Sequence, residues 1–367
     1  MTADIPKPHP DPIPRRAAWL VEARWGVMVH YLDHGTPASA TSVSTTTAEA
    51  WNRRVDGFDI DAFVEQIAAT GAGYVIFTVG QNSGHFCSPN AAYDRLTGIV
   101  PSKCSRRDLI LEVGKALHRA KIRLIAYVPN QAPAADAVAV EKLKWRWGKE
   151  APWPHDGAPT GERLAEFQEY WEAIVREWSL RWGKLVDGWW VDGCYFADAM
   201  YRAPEAPNFT SFADALRAGN SEAIVAFNAG TNLPLSSITE CEDYTAGELD
   251  KALPLFHKWL QLDPGGRVPG HAAMRPDGTP LPASAASGVQ FHFLSFLGNW
   301  WGEGEPRLPD DLVAAYTRYV NGHGGVVTWD VPIEDDGKIP DAFLQQLGNL
   351  SPLNLSPRPE TSRAETR

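Results

Sequence analysis

Gly188-Trp189-Trp190-Val191-Asp192-Gly193-Cys194-Tyr195 is a short apolar run that carries no charge until a single carboxylate, Asp192, appears beside a glycine. A strand buried on both faces of a parallel sheet reads as continuous apolar sequence, so an acid within it belongs at an exposed end. In a parallel α/β barrel the C-terminal strand ends form the active-site face. Asp192 is therefore a candidate catalytic carboxylate. From this strand alone, capping the next element or pairing with a basic neighbour accounts for it equally well.

Working outward, similar runs occur at residues 25–31, 74–80, 123–128, 223–227, 289–296 and 326–329, with a weaker one at 237–241, so that eight strands are expected in all. Amphipathic stretches separate them. Ile60, Phe63, Val64 and Ile67 recur at i, i+3, i+4, i+7 and stop at Gly71; Leu109, Val113, Ala116 and Leu117 mark a second helix. Leu164, Phe167, Trp171, Ile174, Trp178 and Trp182 mark a long third, and Leu312, Ala315, Tyr316 and Tyr319 a helix before the last strand. The alternation predicts an α/β fold, a (β/α)8 TIM-like barrel. Its second half is expected to be irregular, since residues 249–262 hold the best of several poorly patterned helices there. Pro264, Gly265 and Gly266 open a Pro/Gly-rich segment to residue 287, of a length usual for a lid or binding loop. The expected organisation is a disordered arm over 1–16, one catalytic domain over 17–350, and a disordered tail over 351–367.

Hydrophobic content of 44% and charged content of 22% suit a soluble globular chain with a large core. A net charge of −11 without basic patches argues against nucleic acid or an anionic membrane as partner and favours a neutral small-molecule ligand. Cys87, Cys104, Cys194 and Cys241 are widely spaced and suggest neither a zinc cage nor a disulfide framework. Met1 to Arg16 is rich in proline and charge and lacks a signal-peptide apolar core, and no run is long enough for a membrane span, so a cytoplasmic location is expected. Many of the 15 tryptophans fall at strand ends, where flat rings could stack on a sugar. Trp171, Trp178 and Trp182 belong to a helical stripe and read as core.

Five segments together resemble family 29 glycoside hydrolases, the retaining α-L-fucosidases. Trp25-Gly26-Val27-Met28-Val29-His30-Tyr31 is similar to that family's first strand, and Phe58-Asp59 through Gly71-Ala72-Gly73-Tyr74-Val75-Ile76-Phe77-Thr78 to its first helix and second strand. Arg106-Arg107-Asp108-Leu109 resembles its Lys-Arg-Asp-Leu helix start, and Trp190-Val191-Asp192-Gly193 the Trp-Phe-Asp-Gly that carries the nucleophile. Gly324-Gly325-Val326-Val327 through Asp336-Gly337-Lys338-Ile339-Pro340 resembles its last strand and following turn. Two departures stand out. The family's His-His-Asp-Gly-Phe is replaced by Gln81-Asn82-Ser83-Gly84-His85-Phe86, and its Asn-Asp-Arg by Asn228-Ala229-Gly230. The C-terminal β-sandwich that many members of the family carry is not expected here.

The resemblance implies a retaining, exo-acting glycosidase that needs no cofactor and no metal, works by double displacement through Asp192, and has an altered glycone preference. It points to Glu248, five residues after Asp243, as the acid/base, with Glu240 and Glu242 as rivals; read without it, this cluster is a solvated acidic loop. His30 is implied as a sugar ligand, and Gln81, Asn82 and His85 as the polar lining after the second strand. Strand-end position adds Tyr127, Asn130, Trp190, Asn228 and Trp329 with Asp330, while His292, Gln290 and the tip Asn299-Trp300-Trp301 would close the pocket. His30 and His34 at i, i+4 lack a third ligand in register, which argues against a metal. The alternative reading is a barrel that binds sugar without hydrolysing it.

Overall fold

The computed structural model describes residues 15–33, 44–146, 163–194, 201–231, 237–253 and 289–351. The segment 264–287, His34, and most of the arm and tail lie outside these residues, as does most of the helix expected at 249–262; residues 249–253 are not helical. Arg15 and Arg16, expected in the arm, begin a short 3-10 turn (Arg15–Ala17).

Seven strands form one parallel sheet: β1 (Trp25–Val29), β2 (Tyr74–Thr78), β3 (Arg123–Pro129), β4 (Gly188–Asp192), β5 (Ile224–Phe227), β6 (His292–Phe296) and β7 (Val326–Val331). Their order is β5-β4-β3-β2-β1-β7-β6, so strands from the two ends of the sequence meet at β1 and the sheet curls as a TIM-like barrel would. Side-chain caps set the connecting helices. Asp59 accepts from Ala62 N to start Ile60–Thr70, which ends on left-handed Gly71, and Asp108 accepts from Leu111 N to start Leu109–Arg119.

Strand alternation divides the core in two. One layer lies between sheet and helices and includes Val27, Phe77, Trp189, Val191, Val327 and Trp329; the long helix Ala165–Trp182 supplies its Trp171, Trp178 and Trp182. The other fills the inside of the curl with Met28, Tyr74, Ile76, Tyr127, Trp190, Tyr244 and Leu294. Trp190 and Asp192 point inward, Trp189 and Val191 outward. That parity delivers the carboxylate to the inner face.

The strand expected at 237–241 does not form; residues 238–239 bend and 240–241 turn. No regular strand occupies the gap between β5 and β6 among the described residues, so closure by an eighth strand is not observed. Instead Asp243 N bonds Val225 O at 2.9 Å, while the Asp243 and Glu242 carboxylates accept from Val225 N and Phe227 N at 3.0 and 2.9 Å. On the other side Thr245 N bonds Gln290 O, Leu294 N bonds Gly247 O, and Leu249 N bonds Leu294 O. Residues 242–249 thus span the gap with main-chain bonds toward β6, and with one main-chain bond and two side-chain carboxylates toward β5, which satisfies the strand edge without a ladder.

Gly247 makes this passage feasible. Its φ is +71°, and a Cβ there would lie 2.0 Å from His292 O. Gly247→Ala should therefore destabilise the fold by about 2 kcal/mol or more in urea unfolding. An unchanged midpoint and slope would show that residues 243–249 do not need this backbone.

Candidate active site

Asp192, at the tip of β4, is half-buried and met by three neighbours. Tyr127, one strand over on β3, donates to Oδ2 at 2.5 Å, and Gln81 Nε2, from the turn after β2, lies 3.4 Å from the same oxygen. Asn228, following β5, donates Nδ2 to Oδ1 at 2.9 Å. Gln81 Nε2 also donates to Tyr127 Oη at 2.5 Å, and the Tyr127 ring stacks on Trp190 with centroids 5.2 Å apart. Trp190 is fixed in turn by donation from Nε1 to Ala246 O at 2.9 Å.

Asn228 Nδ2 also bonds Glu248 Oε2. Two oxygens within hydrogen-bond reach of one nitrogen are at most ~6 Å apart. The nucleophile and acid/base candidates are therefore brought face to face. Burial raises the Glu248 carboxyl to about 7, the nearby Asp192 charge adds to the rise, and the Asn228 bond and His30 oppose it.

His30 stands at the end of β1, half-buried, with Nδ1 2.7 Å from Asp330 Oδ1 and its ring beside Tyr127 and Trp301 at 5.8 and 6.0 Å. Burial works against its proton, but the charge and hydrogen bond of Asp330, with Asp192 and Glu248 behind them, raise its pKa overall. Asp330 is itself raised by burial, an effect that His30 and the Gly302 N–H oppose. Trp301 is half-buried at the rim and Trp300 is 37% exposed beside it.

The rivals to Glu248 sit elsewhere. Glu242 is buried and accepts from Phe227 N, Ile238 N and Thr239 N, so its carboxylate is used in tethering the chain; burial raises it to about 8 against those three bonds. Glu240 is exposed and accepts from Thr239 Oγ1.

Other expected residues are close in sequence but not brought to the carboxylate pair. Trp329 faces the helix layer, where Nε1 donates to Thr317 Oγ1 at 2.9 Å, because it has the opposite strand parity from Asp330. His292 lies inside the curl, with Nδ1 3.0 and 3.2 Å from Thr245 O and Ala246 O and Nε2 2.7 Å from Thr328 Oγ1. Gln290 donates to Phe291 O and Gly324 O. Asn130 accepts from Tyr201 at 2.5 Å, and its main-chain N bonds Asp192 O at 2.7 Å, so it braces the β4 tip from behind. Asn82 is buried, its carbonyl accepting from Ala135 N. His85 is buried against Trp51 with Nδ1 3.4 Å from Asp33 Oδ2. Tyr201 and Asp33, the partners of Asn130 and His85, had no sequence signal, since neither lies in a motif or periodic run. The four cysteines are free. No helix among the described residues is long and apolar enough to cross a membrane.

No protein-family model and no curated protein sequence matches the chain. Solved structures do. The fold is similar to that of endo-fucoidan hydrolase MfFcnA9 from glycoside hydrolase family 107, at 22% identity and a TM-score of 0.66 over 93% of this chain. Endo-fucoidan hydrolase P5AFcnA from the same family gives 17% identity and a TM-score of 0.62 over 95% of both chains. α-L-Fucosidase AlfC from Lactobacillus casei, in complex with α-L-fucose product, gives 16% and 0.57 over 92% of this chain and 98% of that one. The chain spans only 64% of MfFcnA9 and 53% of the related MfFcnA4. Identities this low establish the shared fold.

Burial lowers the pKa of His292 to about 4, so the ring is neutral near pH 7; Nδ1, which faces two carbonyls, then carries the proton and Nε2 accepts from the Thr328 hydroxyl. An unfolded histidine takes its proton near pH ~6.5. Stability from this residue is thus complete above about 6.5 and declines as pH falls toward 4, by up to ~3 kcal/mol. Glu242 and Glu248 act in the opposite sense but are common to wild type and His292→Gln, so the difference between the two proteins isolates His292. Wild type should lose more unfolding free energy than the variant between pH 7 and pH 4.5; parallel pH dependences would contradict a neutral, buried His292.

Proposed function

We propose that the protein is a retaining glycoside hydrolase acting on fucoside-type linkages, with Asp192 as nucleophile and Glu248 as general acid/base. The observation that carries this reading is the shared Asn228 amide, which keeps one oxygen of each carboxyl group within ~6 Å of the other; that fits the ~5–5.5 Å of retaining enzymes better than the ~6.5–9.5 Å that leaves room for a water in inverting enzymes. The fold shared with endo-fucoidan hydrolases and an α-L-fucosidase supports the substrate class.

In the first step an Asp192 oxygen bonds the anomeric carbon as the glycosidic C–O bond breaks, and the Glu248 carboxyl gives its proton to the departing oxygen. In the second step the Glu248 carboxylate takes a proton from water, the water oxygen bonds the anomeric carbon, and the ester to Asp192 breaks. Tyr127, Gln81 and Asn228 fix the attacking carboxylate, and the environment that raises Glu248 keeps it protonated for its first task. Two carboxyl groups in unlike surroundings thereby take unlike roles. Gln81 bears on specificity. It supplies an amide where the resembling family has imidazole, and an amide offers hydroxyls a different donor and acceptor geometry. A pocket built for one hydroxyl pattern rejects another strongly, so a glycone preference distinct from L-fucose itself follows.

Asp192→Gly should lower turnover of an aryl glycoside by ~10³-fold or more. Azide should restore it, releasing a glycosyl azide of inverted configuration. Near wild-type turnover without azide would remove Asp192 from the role, and a complete lack of turnover by the wild type on any glycoside would favour the sugar-binding reading instead.

Glu248→Ala should slow a glycoside with a poor leaving group far more than one with a good leaving group. As an acid that is active below about 7 and loses its proton above, Glu248 should also set the alkaline limb of kcat/KM, and that limb should vanish in the variant. Equal losses on both substrates would transfer the role to another group.

A further inference from the structure

Pairing of β1 with β7 sets Met28 opposite Asp330, so His30, two residues on and facing the same way, meets the Asp330 side chain from a position 300 residues distant in sequence. Asp330 is fully buried, and both of its oxygens are engaged: Oδ1 with His30 Nδ1 at 2.7 Å, Oδ2 with Gly302 N at 2.6 Å. A buried carboxylate is costly unless paired and hydrogen-bonded, and here its ionisable partner is an imidazole. Gly302 has φ +65°, and a Cβ there would come within 3.0 Å of His30 Cβ. The loop that carries Trp301 therefore packs its bare backbone on the histidine. With Nδ1 taken by Asp330, the opposite ring nitrogen, Nε2, is the one left to the cavity, where the imidazole keeps its 9% exposure.

The charged and titratable groups that face His30 are Asp330 from β7, Asp192 from β4 and Glu248 from the segment after β5, with the Tyr127 ring from β3. All three titratable groups are acids, and with Glu248 protonated the charges of Asp330 and Asp192 remain beside His30, which is placed to balance them as a cation.

We propose that Asp330 is a positioning residue for the reaction. It holds His30 through Nδ1 as an imidazolium whose Nε2–H faces the space between Asp192 and Glu248, and its second oxygen locks the Trp301–Gly302 loop onto that histidine. This rests on the glycosidase reading, and the expected consequence is that Asp330 and His30 act as one unit.

The test uses the full chain, wild type and Asp330→Asn, His30→Gln and the double variant. NMR titration of the His30 ring should give a midpoint above the ordinary value of about 6.5 in wild type and below it in Asp330→Asn. For an aryl glycoside, each single variant should lose about 10- to 100-fold in kcat/KM at neutral pH, and the double variant should lose no more than the worse single one. In Asp330→Asn the alkaline limb of kcat/KM, set by Glu248, should move to higher pH, because a neutral His30 no longer favours the Glu248 carboxylate. A His30 midpoint that is the same with and without Asp330, or losses that multiply in the double variant, would overturn the proposal. Should Asp330→Asn not fold, a wild-type midpoint below the ordinary value overturns it alone. The titration needs no turnover, so its outcome is separate from failure of the glycosidase reading.

Discussion

The edge of β5 is completed by side chains. Glu242 and Asp243 offer carboxylate oxygens to the Phe227 and Val225 N–H groups that an adjoining strand would otherwise satisfy, and Arg217 holds Asp243 in place with a 2.6 Å ion pair. Much of the site depends on this substitution. Residues 243–249 run on from there along β6, which brings Glu248 to the Asn228 amide shared with Asp192 while the Ala246 carbonyl anchors Trp190. Burial in this passage is also what keeps Glu248 protonated to about 7. One local departure from barrel regularity thus sets both the position and the chemistry of the second carboxyl group.

Around that pair, the hydrogen bonds form a continuous path from Gln81 through Tyr127 and Asp192 to Asn228 and Glu248. Four strand ends contribute to it, so the geometry follows from sheet register rather than from any one loop. A preorganised polar network of this kind is costly when incomplete and rigid when complete. His30, Trp301 and Gln81 retain partial exposure at its rim.

The strands legible in the sequence were those with dense apolar runs, and β1 through β7 all lie within or overlap such runs. The failed one, at 237–241, had only Ile238 and Cys241 as apolar residues, and its Ser and Thr favour turns. The segment that does fill the gap, Thr245-Ala246-Gly247, has small side chains and a glycine at positive φ, so neither period nor propensity marks it. Asp192 was legible because a charge ends an apolar strand. Glu248 was reached only through resemblance to a family, since an acidic cluster on an acidic chain has no distinguishing pattern. Adjacent Trp329 and Asp330 were read as sharing a pocket, yet alternation sends one to each face. The Asp330–His30 contact could not be read from either segment alone, because it arises where the first and last strands meet.

Stereochemistry decides the central claim, that Asp192 and Glu248 act by double displacement. Proton NMR of the first sugar released from the aryl glycoside that the protein turns over best, recorded before mutarotation, reads the outcome directly. With Asp192 as nucleophile, the first product keeps the anomeric configuration of the substrate. A first product of opposite configuration would contradict that role.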